Sequence, residues 1–138
     1  LSNILKDKGY VVDVASDGEE AILKSKANFY NLALIDIRLP DMEGTELLAK
    51  MNETIPKMVK IILTGYPSLK NAIEAVNKGA DGYIIKPVSP DKLHSIIQKH
   101  LKRQEESRRY TEEKVAEFIK TRVKELGHDP RSRQLSLE

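Results

Sequence analysis

Apolar and polar positions along the chain fall into two kinds of segment that follow one another in turn. Short apolar runs predict strands at residues 10–15, 32–37, 58–63 and 82–85. Amphipathic stretches predict helices at residues 1–8, 19–27, 45–52, 68–78 and 91–103. An apolar run without alternation is typical of a strand buried on both faces. Strands and helices in this order predict right-handed βαβ crossovers and a parallel sheet with helices on both faces.

The last 35 residues differ in pattern from the rest of the chain. We therefore divide the chain into a domain at residues 1–103 and a charged helical extension at residues 104–138. The extension has one apolar stripe, formed by Tyr110, Val115, Ile119, Val123 and Leu126. This stripe could pack on the preceding domain or pair with its copy in a homodimer, and five positions do not decide between them. Gly127 should end the helix, and residues 131–138 are expected to be disordered.

Composition excludes several classes of function. The 138 residues include no cysteine, which excludes disulfides, thiolate metal sites and thiol nucleophiles and favours a reducing, cytoplasmic compartment. No apolar run approaches the roughly 18 residues that a membrane span needs. The net charge is only +2, and there is no tryptophan, so direct binding of nucleic acid is not expected. The three histidines lack the spacing of metal ligands and are expected at the surface: His94, His100 and His128.

Three polar side chains follow successive predicted strands at the carboxyl ends, where open parallel sheets bind ligands. They are Asp36, Thr64 and Lys86. A carboxylate, a hydroxyl and an ammonium at one edge suit phosphoryl transfer to Asp36. Lys86 would neutralise the phosphoryl oxygens, and Thr64 would donate a hydrogen bond to one of them. This chemistry also needs a hard divalent cation, normally Mg²⁺.

Four motifs in this order resemble the CheY-like receiver domain of two-component response regulators. They are GYVVDVASDGEEA at 9–21, DIRLPDMEG at 36–44, LTG at 63–65 and KGADGYIIKP at 78–87. The resemblance covers about residues 1–103. It implies a flavodoxin-like, doubly wound parallel sheet with strand order 2-1-3-4-5.

The resemblance also implies a role for individual residues. Asp36 would accept phosphate from a histidine kinase or a phosphotransfer protein, and Thr64 and Lys86 would sense it. Tyr83 would be the aromatic switch residue. The carbonyl oxygen of Arg38 would join Asp36 in binding Mg²⁺, and the Lys86–Pro87 bond would be cis. From its place after Thr64-Gly65, we expect Tyr66 to lie over the site and shield the phosphoryl group from water.

The chain departs from the family pattern at its beginning. In the family, the central first strand ends in an acidic pair that holds Mg²⁺, and no such strand or pair precedes Leu1. We expect that strand to lie in an upstream segment of the native protein. Without it, residues 10–15 lose their inner neighbour, and Mg²⁺ binding should be weak or absent.

Two other functions are compatible with parts of the pattern. A receiver-like docking or dimerisation module would work without phosphorylation. An aspartyl phosphohydrolase would need a second acid two residues after the nucleophile, where this chain has Arg38. We expect Asp41 and Glu43 to form the turn and to favour the start of the following helix. The sequence thus favours a phosphorylation switch over a metabolic enzyme, without indicating the kinase, the stimulus or the output.

Overall fold

The computed structural model describes residues 1–51, 53–54 and 56–126. Over this range, three strands and five helices occur. The strands are β1 (Leu32–Asp36), β2 (Val59–Thr64) and β3 (Gly82–Ile85). The helices are α1 (Ser2–Asp7), α2 (Gly18–Ala27), α3 (Gly44–Lys50), α4 (Leu69–Asn77) and α5 (Pro90–Leu126). Three of the four predicted strands and the start of every predicted helix are therefore within two residues of the prediction.

The strands form one parallel sheet in the order β1-β2-β3. Every residue of the central strand β2 is buried, Lys60 and Thr64 included, which explains why its apolar residues do not alternate with exposed polar ones. One core cluster packs residues of α3 and α4 on the face that includes Ile62, and a second packs α5 on the face that includes Ile61. The sheet is thus covered by helices on both faces, and the α/β class predicted from the alternation is confirmed.

Polar side chains and glycines define the helix ends. The Asp17 carboxylate accepts a hydrogen bond from the Glu20 amide at 2.8 Å and caps α2. Ser68 caps α4 in the same way, by accepting from the Asn71 amide at 3.1 Å. After α4 the chain reverses at Gly79, whose φ of 101° is a conformation that side chains with a Cβ rarely adopt.

Residues 10–15 do not form the strand that their apolar run predicts. The Val11 side chain is fully exposed, and the Val14 carbonyl accepts a hydrogen bond from the Lys24 ammonium at 2.6 Å. Among the described residues, no strand pairs with this segment. Without a ladder its backbone groups bond elsewhere, as the Val14 carbonyl does to Lys24.

The described chain forms two compact units, one from Leu1 to Gln104 and the other from Glu105 onward. In the second, Arg108 forms ion pairs with Glu105 and Glu112, as expected for a solvated helix. The side chains of Tyr110, Val115 and Ile119 are exposed there. The predicted helix at 91–103 is longer than expected because no proline or glycine interrupts residues 91–126. Gly127, His128 and the end predicted to be disordered lie outside the described residues.

No helix in the described part of the chain is long and apolar enough to cross a membrane. The prediction of surface histidines was partly wrong, because His94 and His100 are half-buried. His94 lies against the Tyr10 ring, with 3.2 Å between its Nδ1 atom and the Tyr10 hydroxyl. The described residues contain no cluster of three or more acidic or histidine side chains that could hold a metal ion.

Candidate functional site

The carboxyl ends of the three strands bring the candidate residues to one edge of the sheet. Asp36 ends β1, Thr64 ends β2, and Lys86 follows β3 directly. The backbone fixes their relative positions, because the Lys86 amide donates to the Thr64 carbonyl at 2.8 Å. Asp36 lies beside Leu63 in the register of β1 and β2. Residues 50 positions apart in the sequence therefore share one edge through the parallel register.

Asp36 and Lys86 are in direct contact. The Lys86 ammonium lies 2.6 Å from Oδ1 of Asp36, and about half of each side chain is exposed. An exposed ion pair of this kind contributes only about 0–1 kcal/mol to stability. Its importance is therefore chemical, since it places a positive charge beside an accessible carboxylate.

Thr64 shares this edge but is engaged elsewhere. Its side chain is 1% exposed, and its hydroxyl oxygen accepts a hydrogen bond from the Tyr66 amide at 3.0 Å. Among the described residues, no hydrogen bond joins Thr64 to the Asp36 or Lys86 side chain.

Tyr83 is half-buried on the opposite side of β3 from Ile84. Its ring packs against the core cluster that contains Ile62 and Ala75. Its hydroxyl is buried and has no hydrogen-bond partner in the described chain. An unpaired buried hydroxyl costs about 1–3 kcal/mol, so this ring position is less stable than packing alone would make it.

We expect Tyr83→Phe to raise the free energy of unfolding by about 1 kcal/mol, because it removes the unpaired hydroxyl and keeps the ring. Tyr30→Phe is the matched control, since the Tyr30 hydroxyl donates to the Asp13 carboxylate at 2.7 Å. The control should lower that free energy slightly. Urea unfolding measures both. Equal destabilisation by the two variants would contradict an unpaired Tyr83 hydroxyl.

One further contact involves a side chain to which the sequence assigned no such role. The Arg38 guanidinium lies 5.5 Å from the centre of the Tyr66 ring, a cation–π contact. Tyr66 itself is 73% exposed. The sequence offers no signal for a contact between residues on two different loops.

Asp41 was expected to favour the start of the helix that follows it, and this was wrong. Its carboxylate instead accepts hydrogen bonds from the Gly18 and Glu19 amides of α2, at 2.8 and 3.0 Å. Donation from the Gly18 amide holds the pKa of Asp41 below its usual value. The loop that follows Asp36 is therefore bonded to α2, a helix that lies earlier in the sequence than this loop. Glu43 is exposed and makes no side-chain cap at α3.

Asp36 and the Arg38 carbonyl are the two metal donors that the resemblance implies. Mg²⁺ is normally held by one or two carboxylates and several waters. Here Oδ1 of Asp36 is bonded to Lys86, and the described residues contain no group of three or more acidic or histidine side chains. With Asp36 and the Arg38 carbonyl as donors, most of the coordination of Mg²⁺ would fall to water, so the set of protein ligands is incomplete.

Comparison with known proteins agrees with this geometry. Residues 1–98 match the sequence profile of the response regulator receiver domain. The chain belongs to this family. The cis Lys86–Pro87 bond that the resemblance implies is present in this receiver domain.

Several proteins resemble this receiver domain closely. A CheY-like response regulator receiver domain protein from Methanospirillum hungatei JF-1 is 48% identical, with a TM-score of 0.73. The match covers 77% of this chain and 85% of that one. A response regulator from Burkholderia pseudomallei, solved with a phosphorylated aspartic acid, a calcium ion and citrate, is 26% identical. It has a TM-score of 0.63, and the match covers 77% of this chain and 62% of that one.

Among curated proteins, the transcriptional regulatory protein ZraR of Klebsiella oxytoca is 33% identical over 135 residues. The match covers 98% of this chain but only 30% of that protein. The present chain thus spans less than a third of this relative, and it is a receiver domain of the two-component type.

Proposed function

We propose that Asp36 accepts a phosphoryl group from a histidine kinase or a phosphotransfer protein. The observation that carries this proposal is the 2.6 Å contact between the Lys86 ammonium and the Asp36 carboxylate at the ligand-binding edge of the sheet. The Burkholderia relative, with its phosphorylated aspartic acid, supports the same chemistry. Family membership implies that the exchange takes place in the cytoplasm.

The reaction moves one phosphoryl group between two side chains. A carboxylate oxygen of Asp36 attacks the phosphorus of phosphohistidine, so that a P–O bond forms and the P–N bond breaks. The departing imidazole nitrogen keeps the electron pair and is reprotonated by water. The Lys86 ammonium neutralises the charge that then lies on the phosphoryl oxygens. No part of this step needs a base, because the Asp36 carboxylate is itself the nucleophile.

Thr64 and Tyr83 would convert phosphorylation into a change of shape. The Thr64 hydroxyl oxygen accepts from the Tyr66 amide, and its own proton remains to be donated. A phosphoryl oxygen on Asp36 would accept that proton and draw the hydroxyl toward Asp36. Movement of Thr64 changes the space beside Tyr83, whose unpaired hydroxyl already weakens its present position. Phosphorylation would thereby shift the population between two packings of β3, α4 and the start of α5.

Arg38 lies shortly after Asp36 and Tyr66 shortly after Thr64, and the Arg38 guanidinium lies over the Tyr66 ring. This contact supports the proposed shielding of the phosphoryl group from water, and the lifetime of the phosphorylated state would then depend on it. We assign the domain to signal transfer rather than to metabolism.

A phosphorylation-independent docking module is the second candidate, and the incomplete set of metal donors favours it. We expect a titration with Mg²⁺, followed by tyrosine fluorescence, to show no saturation at millimolar concentrations, because Asp36 and the Arg38 carbonyl leave most of the coordination to water. Sodium chloride at matched ionic strength serves as the control. Saturation below millimolar Mg²⁺ would contradict the incomplete donor set and would disfavour the docking module.

The two candidates are separated by phosphoryl uptake from a small acyl phosphate, such as acetyl phosphate. Mg²⁺ is supplied in large excess, since weak binding can be offset by concentration. Uptake on the intact chain supports the switch. Its complete absence, with the protein folded, supports the docking module.

A further inference from the structure

The loop at residues 37–43 joins Asp36 to α3. Hydrogen bonds close its base, where its two ends approach each other, and others hold its tip, the part around Asp41. At the base, the Leu39 amide donates to the Met42 carbonyl at 2.9 Å, and the Gly44 amide donates to the Ile37 carbonyl at 2.7 Å. At the tip, the Asp41 carboxylate accepts two amides of α2. The Ile37 amide also donates to the Leu63 carbonyl of β2 at 3.0 Å, so the tip supplies a second attachment of this loop, to α2.

Packing reinforces the same anchor. Met42 lies directly on the first residue of α2, because a Cβ atom added to Gly18 would come within 2.5 Å of the Met42 sulfur. Gly18 is buried under this contact. A carboxylate and a thioether on adjacent loop residues therefore seat the loop on one turn of α2.

Helix capping alone does not account for Asp41. Helix α2 already has its own N-cap, because Asp17 accepts from the Glu20 amide at 2.8 Å. Glu20 in turn accepts from the Ser16 amide at 2.9 Å. Asp41 comes from more than 20 residues further along the chain, so its contact with the Gly18 amide fixes the loop as much as the helix.

The loop anchored in this way directly follows Asp36. It carries Arg38, whose guanidinium lies over the Tyr66 ring. A tip that is free to move would change the angle at which the loop leaves β1. Reaction rates fall steeply with such displacements, since an error of 1 Å can cost about 100-fold.

We propose that Asp41 is a positioning residue of the acceptor site, holding the loop at 37–43 against α2 so that Asp36 and Arg38 keep their places. This rests on the proposed function of Asp36. Asp41 touches neither the phosphoryl donor nor Asp36, and it acts through the loop backbone.

The test compares Asp41→Ala with Asp17→Ala, which removes the helix's own cap and leaves the loop untouched. The rate of phosphoryl uptake is measured against the concentration of acetyl phosphate in the intact chain. For Asp41→Ala we expect the maximal rate to fall about 10- to 100-fold. For Asp17→Ala, normalised to the folded fraction, the maximal rate should stay within about twofold of wild type. Asp41→Asn should recover part of the loss, since its amide oxygen still accepts one hydrogen bond.

Equal losses of rate in the two alanine variants, or no loss in Asp41→Ala, would overturn the proposal. Hydrogen exchange at the Leu39 and Gly44 amides gives an answer that does not depend on phosphorylation. These amides should exchange faster in Asp41→Ala than in wild type, and at the wild-type rate in Asp17→Ala. Unchanged exchange of these amides in Asp41→Ala would refute the anchoring of the loop by Asp41, whether or not the chain takes up a phosphoryl group. Absence of uptake by the wild-type chain would instead count against Asp36 as the acceptor.

Discussion

Replacement of Asp36 by asparagine is expected to abolish phosphoryl uptake from acetyl phosphate. The amide of asparagine lacks the anionic oxygen that attacks phosphorus. Among the described residues, Lys86 forms an ion pair with Asp36 and with no other acid, so no second carboxylate beside Lys86 could replace it. Stability should change little, because the pair between Asp36 and Lys86 is half-exposed. The measurement is the amount of phosphoryl group bound per chain after incubation with labelled donor.

The matched control is Asp91→Asn, which makes the same chemical change at a side chain that is 92% exposed and lies on α5. We expect this variant to take up the phosphoryl group as wild type does. Thermal unfolding verifies that both variants are folded. Undiminished uptake by Asp36→Asn would show that another residue is the acceptor.

Gly44→Ala is expected to lower the free energy of unfolding by about 3 kcal/mol. A Cβ atom at this position would overlap the carbonyl oxygen of Asp36, and a backbone atom cannot rotate away as a side chain can. The gain in helix propensity from glycine to alanine is only about 1 kcal/mol, so the overlap dominates. The overlap could be relieved only if the Asp36 backbone moved. We therefore also expect slower phosphoryl uptake in the Gly44→Ala molecules that fold.

Gly65→Ala provides the comparison, since a Cβ atom there would meet no atom within 4 Å. Its free energy of unfolding should stay within about 0.5 kcal/mol of wild type. Urea unfolding of wild type, Gly44→Ala and Gly65→Ala under the same conditions measures the three free energies of unfolding. A similarly small change of the free energy of unfolding in both variants would contradict the close approach of α3 to β1.

The sequence predicted those parts of the fold that depend on local patterns. The apolar run that forms β2 and the amphipathic stretch that forms α4 are both local signals, and both are present in the structure. The convergence of Asp36 and Lys86 followed from a general rule about parallel sheets, so the pair could also be anticipated.

The failed predictions concern contacts that depend on partners distant in the sequence. Residues 10–15 have the apolar composition of a strand, but a strand forms only where a neighbour offers a ladder. Asp41 has the local sequence of a helix-entry acid, yet its carboxylate accepts amides of α2. The cation–π contact of Arg38 with Tyr66 joins two loops, and no periodicity in the sequence indicates that these loops are close in space.

The most direct test of the account is to locate the phosphoryl group on the intact chain. After uptake from acetyl phosphate, reduction with borohydride converts a phosphorylated aspartate into homoserine, which peptide mass spectrometry identifies by residue. The account predicts homoserine at position 36. Homoserine at another acidic position, with Asp36 unmodified, would contradict it.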